Sequence, residues 1–593
     1  MNQTTGAENV IWDLSIFYAS PEDSAISRDL TDVQAQAERF AERYHGRVAS
    51  LSAAELAEAL GQLEAIYEQI GKLSAYAHLH WTTNTADPVR GALLQRVREA
   101  DSKLDQTLLF FMLEWTHVSE EGAKVADAPA LSRYRHYLRK QLRYRPHLLS
   151  EAEEKILNEK AVTGRDAWAR FFTETVSSIR YEWEGQQVPQ SLVMRQLYAP
   201  ERDVRKRAAD SITAGLRPHL RTLTFVFNTL LADKASEDRL RKYPTWLSAR
   251  NLANETTDEA VQALVSAVTS RYDIVSRYYG IKRRLLGLDE LFDYDRYAML
   301  PSAQTHYTWE AARNVVLDAF GAFSPRMAEI AREFFEHNWI HAPVMPNKSG
   351  GAFASPTVPS AHPFILVNYT GAVRDVMTLA HELGHGIHMY LSRPHGIFGA
   401  YTPLTTAEMA SVFGEMLVFN NLMARENDPS VRLTMLASKI EDTFATVFRQ
   451  ISMNRFEEAV HTARRTEGEL STERLNALWL ETQRAMFGES LTLRDDYAIW
   501  WSYVPHFVNT PGYVYAYAFG ELLVLALFSR YKQEGASFVP RYFDVLSSGG
   551  SDSPENILAK AGVDLNDPNF WQQGLQIIDD MVSDLEALTV QVQ

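Results

Sequence analysis

The chain of 593 residues contains no cysteine. That removes disulfides, thiolate metal sites and a cysteine nucleophile together, so any metal must rest on histidine, aspartate and glutamate. A surplus of positive charge is also missing: 59 Lys and Arg stand against 75 Asp and Glu, a formal charge of −16. With no long basic run, nucleic acid is excluded as a partner, because a phosphate backbone has to be met by clustered Lys and Arg. Residues 1–10 lack the basic segment and apolar run of a secretory signal. The most apolar stretch, 513–528, is short for a membrane span and carries Glu521 near its middle. The expected setting is therefore the cytoplasm, with no membrane partner. No internal repeat or low-complexity tract is visible. What is present, 46% hydrophobic and 23% charged residues, is the composition of a folded globular chain long enough to enclose a cleft.

The first third reads as successive helices. Ser52 stands three residues before Glu55, a capping-box spacing, and Leu56, Leu60, Leu63, Ile66, Ile70 and Leu73 follow at steps of three and four. Ser150 with Glu153 repeats the start signal. Thr256 with Glu259 does so again, ahead of Val261, Leu264, Val265, Val268 and Tyr272. Between 338 and 370 the pattern breaks: prolines and the pair Gly350, Gly351 exclude a helix, and two short apolar runs, 351–354 and 364–367, predict a small β-element. Helical spacing resumes at Asp375, is interrupted by a Gly- and Pro-containing loop over 393–403, and returns near Thr405. Size suggests two lobes, divided near residue 200 into 1–200 and 201–593, although no linker marks the place.

His381-Glu-Leu-Gly-His385 is the pattern HExxH. On a helix, residues four apart share a face, so both imidazoles reach one zinc ion, while Glu382, turned by about 100°, addresses a water beside it. Zinc acidifies that water and polarises a carbonyl, and the carboxylate relays the proton to the leaving amine, which is peptide hydrolysis without a covalent intermediate. Val376, Leu379, Ala380, Leu383 and Ile387 give the helix an apolar setting, in which two imidazoles without a ligand would be costly. The metzincin spacing needs glycine at 388 and histidine at 392, but the chain has His388 and Ser392. His388 shares the motif face, yet a rise of about 10 Å from His381 keeps it off the same ion, leaving a supporting or packing role. A catalytic zinc needs a third protein ligand. Glu408 and Glu415, seven apart, share a helical face, so one can ligate while the other supports a ligand. Thr405 three residues ahead of Glu408 equally allows a helix cap.

Several ordered segments resemble the oligoendopeptidase F group of thimet-oligopeptidase-like metallopeptidases: Trp12-Asp-Leu14, 279–288, Tyr294-Asp-Arg-Tyr297, Gly351-Ala-Phe353, 378–388, Ala407-Glu-Met-Ala-Ser411 and Gly549-Gly-Ser551. The resemblance spans nearly the whole chain. It implies that Glu408 is the third zinc ligand and Glu415 its supporting carboxylate. It also implies a mainly α-helical, two-lobed clam or prolate shell enclosing a deep channel, with the small β-element beside the HExxH helix. His506, Tyr513 and Tyr517 lie in a segment similar to the family's oxyanion-binding stretch, where a hydroxyl or imidazole donor contributes typically about 3 to 4 kcal/mol in the transition state. Gly512 departs from the bulky aromatic expected there, which leaves the choice among Tyr513, Tyr515 and Tyr517 open. Gly351, Ala352 and Phe353 resemble the family's edge strand, which pairs with extended peptide; a simple turn at Gly350 and Gly351 is the alternative.

The expectation is a one-zinc endopeptidase of short peptides. A carboxypeptidase or dipeptidyl carboxypeptidase is the rival among enzymes. A peptide-binding scaffold is the rival outside them, and it would have no use for Glu382. Oligomeric state is open.

Overall fold

The computed structural model describes residues 4–300 and 306–592. Of the stretch 1–10, residues 1–3 lie outside the described residues. Helices dominate, and their starts follow the local signals. Ser52 accepts from the Glu55 N–H while the Glu55 carboxylate accepts from the Ser52 N–H, and the helix Ala53–Thr82 runs on with Leu56, Leu60, Leu63, Ile66, Ile70 and Leu73 all buried. Ser150 and Glu153 form the same box. At the third site the cap is Thr257, which accepts from the Ala260 N–H, one residue later than the spacing predicts. Two adjacent threonines offer the same hydroxyl, and Thr256 is buried instead.

The chain forms two compact units, each assembled from three segments: 1–145, 304–425 and 530–564 in the first, 146–303, 426–529 and 565–593 in the second. Residue 200, the boundary expected from the sequence, lies within the second unit.

In the first unit, Ser24–Tyr44, Ala53–Thr82 and Pro88–Thr116 pack as a layer of three helices. The β-element is a three-stranded sheet. Its central strand, Phe364–Leu366, is wholly buried, and it pairs in parallel with Ile340–His341 and antiparallel with Phe353–Ser355. Phe353–Ser355 is therefore an edge strand. Against this sheet lies the helix Val373–Ser392, which carries HExxH. The Asp375 carboxylate fixes its start by accepting from the backbone N–H groups of Thr370 (2.7 Å) and Ala372 (3.2 Å).

In the second unit, Phe448–Glu467 packs on Thr472–Phe487, and Pro429–Thr446 on Pro568–Val592. The helix Tyr515–Glu534 is buried on most sides through Phe528. A hairpin, Tyr181–Trp183 with Gln186–Val188, interrupts the helical run expected there. Its two-residue turn has positive φ at both Glu184 and Gly185, the twist that suits paired strands. Among the described residues no helix is long and apolar enough to cross a membrane.

Candidate metal centre

His381 and His385, one turn apart on the motif helix, bring their Nε2 atoms to 3.2 Å. Glu408 Oε2 lies 3.4 Å from each of them. Three donors held about 2.0 to 2.1 Å from a tetrahedral zinc ion are necessarily spaced about 3.3 to 3.4 Å apart. The observed triangle is thus one face of such a tetrahedron, and among the described residues it is the group of donors close enough to share an ion. The donor set fits zinc: two neutral imidazoles and one carboxylate, with the fourth vertex left to a non-protein ligand.

The third donor arrives because two helices cross very closely. Glu408 sits at the break between Leu404–Ala407 and Met409–Arg425, so it is not the capped residue that Thr405 would suggest; Thr405 is itself helical and buried. A Cβ on Gly384 would fall 2.3 Å from the Ala410 carbonyl oxygen, and one on Gly414 would fall 3.0 Å from that of Ala380. Only hydrogen at both positions lets the backbones meet at this distance. The glycine inside HExxH is consequently what brings Glu408 within reach of the histidines.

Supporting contacts fix two of the three donors. Glu415 Oε1 lies 2.6 Å from His381 Nδ1, so that with a metal bound the ring proton would sit on Nδ1 and the Nε2 lone pair would face the ion. Ser411 Oγ donates to Glu408 Oε2 at 2.7 Å. Burial pushes the His381 imidazole down, yet the Glu415, Glu408 and Glu382 carboxylates outweigh it and raise its pKa to about 9. Burial pushes Glu408 up, and His385, His381 and Ser411 more than reverse this, to about 2. The two shifts are reciprocal: the carboxylates favour the charged imidazolium at His381, and the imidazoles favour the charged carboxylate at Glu408.

Glu382 is 6% exposed. It accepts from the backbone N–H of Ala354 on the edge strand, and its Oε2 has no partner. Burial raises its pKa above the ordinary value, against the pull of His381 and His385. Glu382, His381 and His385 line a cavity of about 420 Å³ whose other walls include Phe353, Ala354, Pro356, Met389 and Tyr401.

Other expected residues fall as follows. His388 is buried and lines the cavity, but it makes no hydrogen bond to a donor of the triangle, and its Nε2 is unpartnered. Of Gly351, Ala352 and Phe353, only Phe353 belongs to the strand. Gly351 has a φ of +76° and turns the chain before it, so the pairing edge is shifted to Phe353–Ser355. Ala352 and Phe353 line the cavity. In the second unit, Tyr517 is exposed, its hydroxyl lies 3.2 Å from His506 Nε2, and its ring centroid is 5.1 Å from that of Tyr513. The helix begins only at Tyr515, so Tyr513 meets Tyr517 from the preceding turn and not from a shared helical face. Tyr515 is fully buried, and its hydroxyl accepts from Asn254 at 3.0 Å. Sequence reasoning assigned no role to Ala354, Ser411 or Tyr401. The Ser411 hydroxyl had a local signal, its three-residue spacing from Glu408; the other two come from separate segments.

Oligopeptidase PepF of Bacillus subtilis is 26% identical over 97% of this chain and 86% of its own length. Group B oligopeptidase PepB of Streptococcus agalactiae is 24% identical over 99% and 98%. A crystallised protein from Chlamydophila abortus superposes with a TM-score of 0.88 at 25% identity, covering 98% of both chains. The oligoendopeptidase-F of Enterococcus faecium shares the fold, with a TM-score of 0.70 at 21% identity over 96% of this chain and 99% of that one. The sequence profile of oligopeptidase F matches residues 119–181, and that of peptidase family M3 matches residues 195–577. With the larger part of its length covered by that second match, the chain belongs to peptidase family M3.

Proposed function

We propose that this peptidase is a zinc-dependent endopeptidase of short peptides, with His381, His385 and Glu408 as metal ligands and Glu382 as general base. The observation that carries the reading is the donor triangle with edges of 3.2 to 3.4 Å on the wall of a cavity, with an unpartnered carboxylate beside it. Zinc bound there supplies Lewis acidity toward the peptide carbonyl and toward a water. Glu382 accepts the proton of the attacking water and passes it to the departing amine. Burial raises its pKa, which makes it a stronger proton acceptor than an ordinary carboxylate. The edge strand Phe353–Ser355, whose Ala354 N–H is shared with Glu382, offers its remaining outer backbone groups to an extended peptide, which tolerates many side chains and requires no chain end. His506 and the exposed Tyr517, with Tyr513 against it, are the donors for the developing oxyanion; Tyr515, committed to Asn254, is not. Internal cleavage is favoured over carboxypeptidase action because the relatives include proteins named oligoendopeptidase F.

Glu382→Gln tests the base. The variant should hold zinc at wild-type stoichiometry and lose hydrolysis of a quenched peptide by several orders of magnitude; near-normal turnover would refute the assignment. Peptides blocked at both ends separate the two enzyme readings, since an endopeptidase still cuts them. Chelation should abolish activity and zinc restore it.

A further inference from the structure

Gly512 stands in the turn between His506–Asn509 and Tyr515–Glu534, the two helices that carry His506 and Tyr517. It is buried, its φ is +73°, and a Cβ there would fall 2.7 Å from Leu247 Cδ1 and 3.4 Å from Trp246 Cζ3. A larger residue would lift the turn off Trp246 and Leu247 and strain its backbone. The glycine that replaces the expected aromatic thus seats the turn directly on these two side chains. Trp246 is itself held, stacked on the buried His461 ring with centroids 4.7 Å apart.

Seating the turn buries its backbone, and a buried N–H requires an acceptor. The Gly512 N–H donates to Glu457 Oε1 at 2.8 Å. Glu457 is 1% exposed, and its other oxygen, Oε2, has no partner. A carboxyl half-satisfied in the core is costly, and the proton transfers assigned to Glu382 leave it no chemical step. The helix Phe448–Glu467 holds the segment through two successive residues: the Phe456 ring lies 5.2 Å from that of Phe507, next to His506, and Glu457 holds Gly512. Beyond that hold come Tyr513, whose ring centroid is 5.8 Å from the Arg250 guanidinium, and Tyr517, whose hydroxyl meets His506.

We infer that Glu457 is a positioning residue: by holding the Gly512 N–H it sets the turn from which Tyr513 and Tyr517 are presented, a role that rests on reading Tyr517 as an oxyanion donor. Phe456 sets His506 from the same helix. Without its acceptor the Gly512 N–H must find another, and the turn shifts. A displacement of about 1 Å at a transition-state donor costs on the order of 100-fold in rate.

The test compares full-length, zinc-loaded Glu457→Met, Glu457→Gln, Tyr517→Phe and the double variant Glu457→Met/Tyr517→Phe, each shown to be folded by a thermal melt, in kcat and KM for a quenched peptide. Glu457→Met should lower kcat by about 10- to 100-fold and leave KM within about threefold. Glu457→Gln, whose carbonyl accepts the same bond, should keep kcat within about threefold of wild type. On the Tyr517→Phe background, Glu457→Met should cost less than about threefold more, because its effect passes through that tyrosine. Should Glu457→Met not fold, Glu457→Asp, with its carboxyl one methylene short of Gly512, takes its place and should lose about fivefold or more in kcat. Unimpaired Glu457→Met beside an impaired Tyr517→Phe overturns the proposal alone, as does a Glu457→Gln as impaired as Glu457→Met, or full additivity in the double variant. Wild-type kcat in Tyr517→Phe overturns the donor reading and the role of Glu457 with it.

Discussion

Replacing Gly384 by alanine adds one methyl group where the motif helix and the Glu408 helix cross. The new Cβ would lie 2.3 Å from the Ala410 carbonyl oxygen, whereas ordinary contact begins at 3.4 Å, so the helices must part by about 1 Å. Overpacking of this kind costs about 1 to 3 kcal/mol, while alanine in place of glycine returns about 1 kcal/mol of helix propensity, so the variant should still fold. Function should suffer far more. If the separation reaches Glu408, its 3.4 Å edges to the two histidines lengthen to about 4.4 Å, beyond the span of a tetrahedral zinc site. A misplacement of about 1 Å costs on the order of 100-fold in catalysis. Zinc retention in graded chelator buffers, turnover of a quenched peptide and a thermal melt should be measured on one preparation. The expected pattern is a melt within a few degrees of wild type, zinc affinity lower by about 10- to 100-fold and kcat/KM lower by about 100-fold. Unchanged zinc affinity and turnover would show that the close crossing does not set the donor triangle.

Glu415→Gln should weaken zinc by about 10- to 100-fold, because the His381 Nδ1 proton loses its charged acceptor; a competition titration against a chelator reads this directly. Tyr517→Phe should lower kcat by about 100- to 1,000-fold with little change in the melt. Tyr515→Phe should instead leave kcat intact and cost about 1 kcal/mol, through loss of the buried hydrogen bond from the Asn254 amide. In the second unit, Glu457 is buried and accepts from the Gly512 N–H at 2.8 Å, and burial raises its pKa from 4.5 to about 8. Its neutral form is favoured by the fold, so its contribution is fully present below pH 4.5 and is lost as pH rises through 8. Over that window wild type should lose stability relative to Glu457→Gln, by something on the order of 4 kcal/mol, in denaturant melts taken at pH 5 and pH 8. A difference between the two proteins that does not vary with pH would rule this out.

What the sequence disclosed was mostly local. The Ser52 and Ser150 boxes are complete within four residues, and HExxH is complete within five, so helix geometry alone aligns its two imidazoles. Glu408 stayed ambiguous between ligand and cap because its role depends on a crossing made by Gly384 and Gly414, and spacing along one helix does not register contact between two. The hairpin at Tyr181–Trp183 and Gln186–Val188 was overlooked for a different reason. Its signal, Glu184-Gly185 between Trp183 and Gln186, is only two residues long and lies among strong helical patterns. The interleaving of three segments in each compact unit leaves no composition shift at all, since it arises from contacts between residues hundreds of positions apart.

That interleaving bears on biosynthesis. The helix Val539–Ser548 packs on the motif helix, and the Tyr542 hydroxyl donates to the Met409 carbonyl at 3.0 Å, directly after Glu408. At ribosomal speeds of about 5 to 20 residues per second, Tyr542 is made roughly 6 to 23 s after Arg425. A nascent chain therefore exposes its histidines for many seconds before the last piece of their enclosure exists. A proteolytic centre that matures only after a segment more than a hundred residues beyond Arg425 has been synthesised is poorly placed to attack neighbouring unfinished chains.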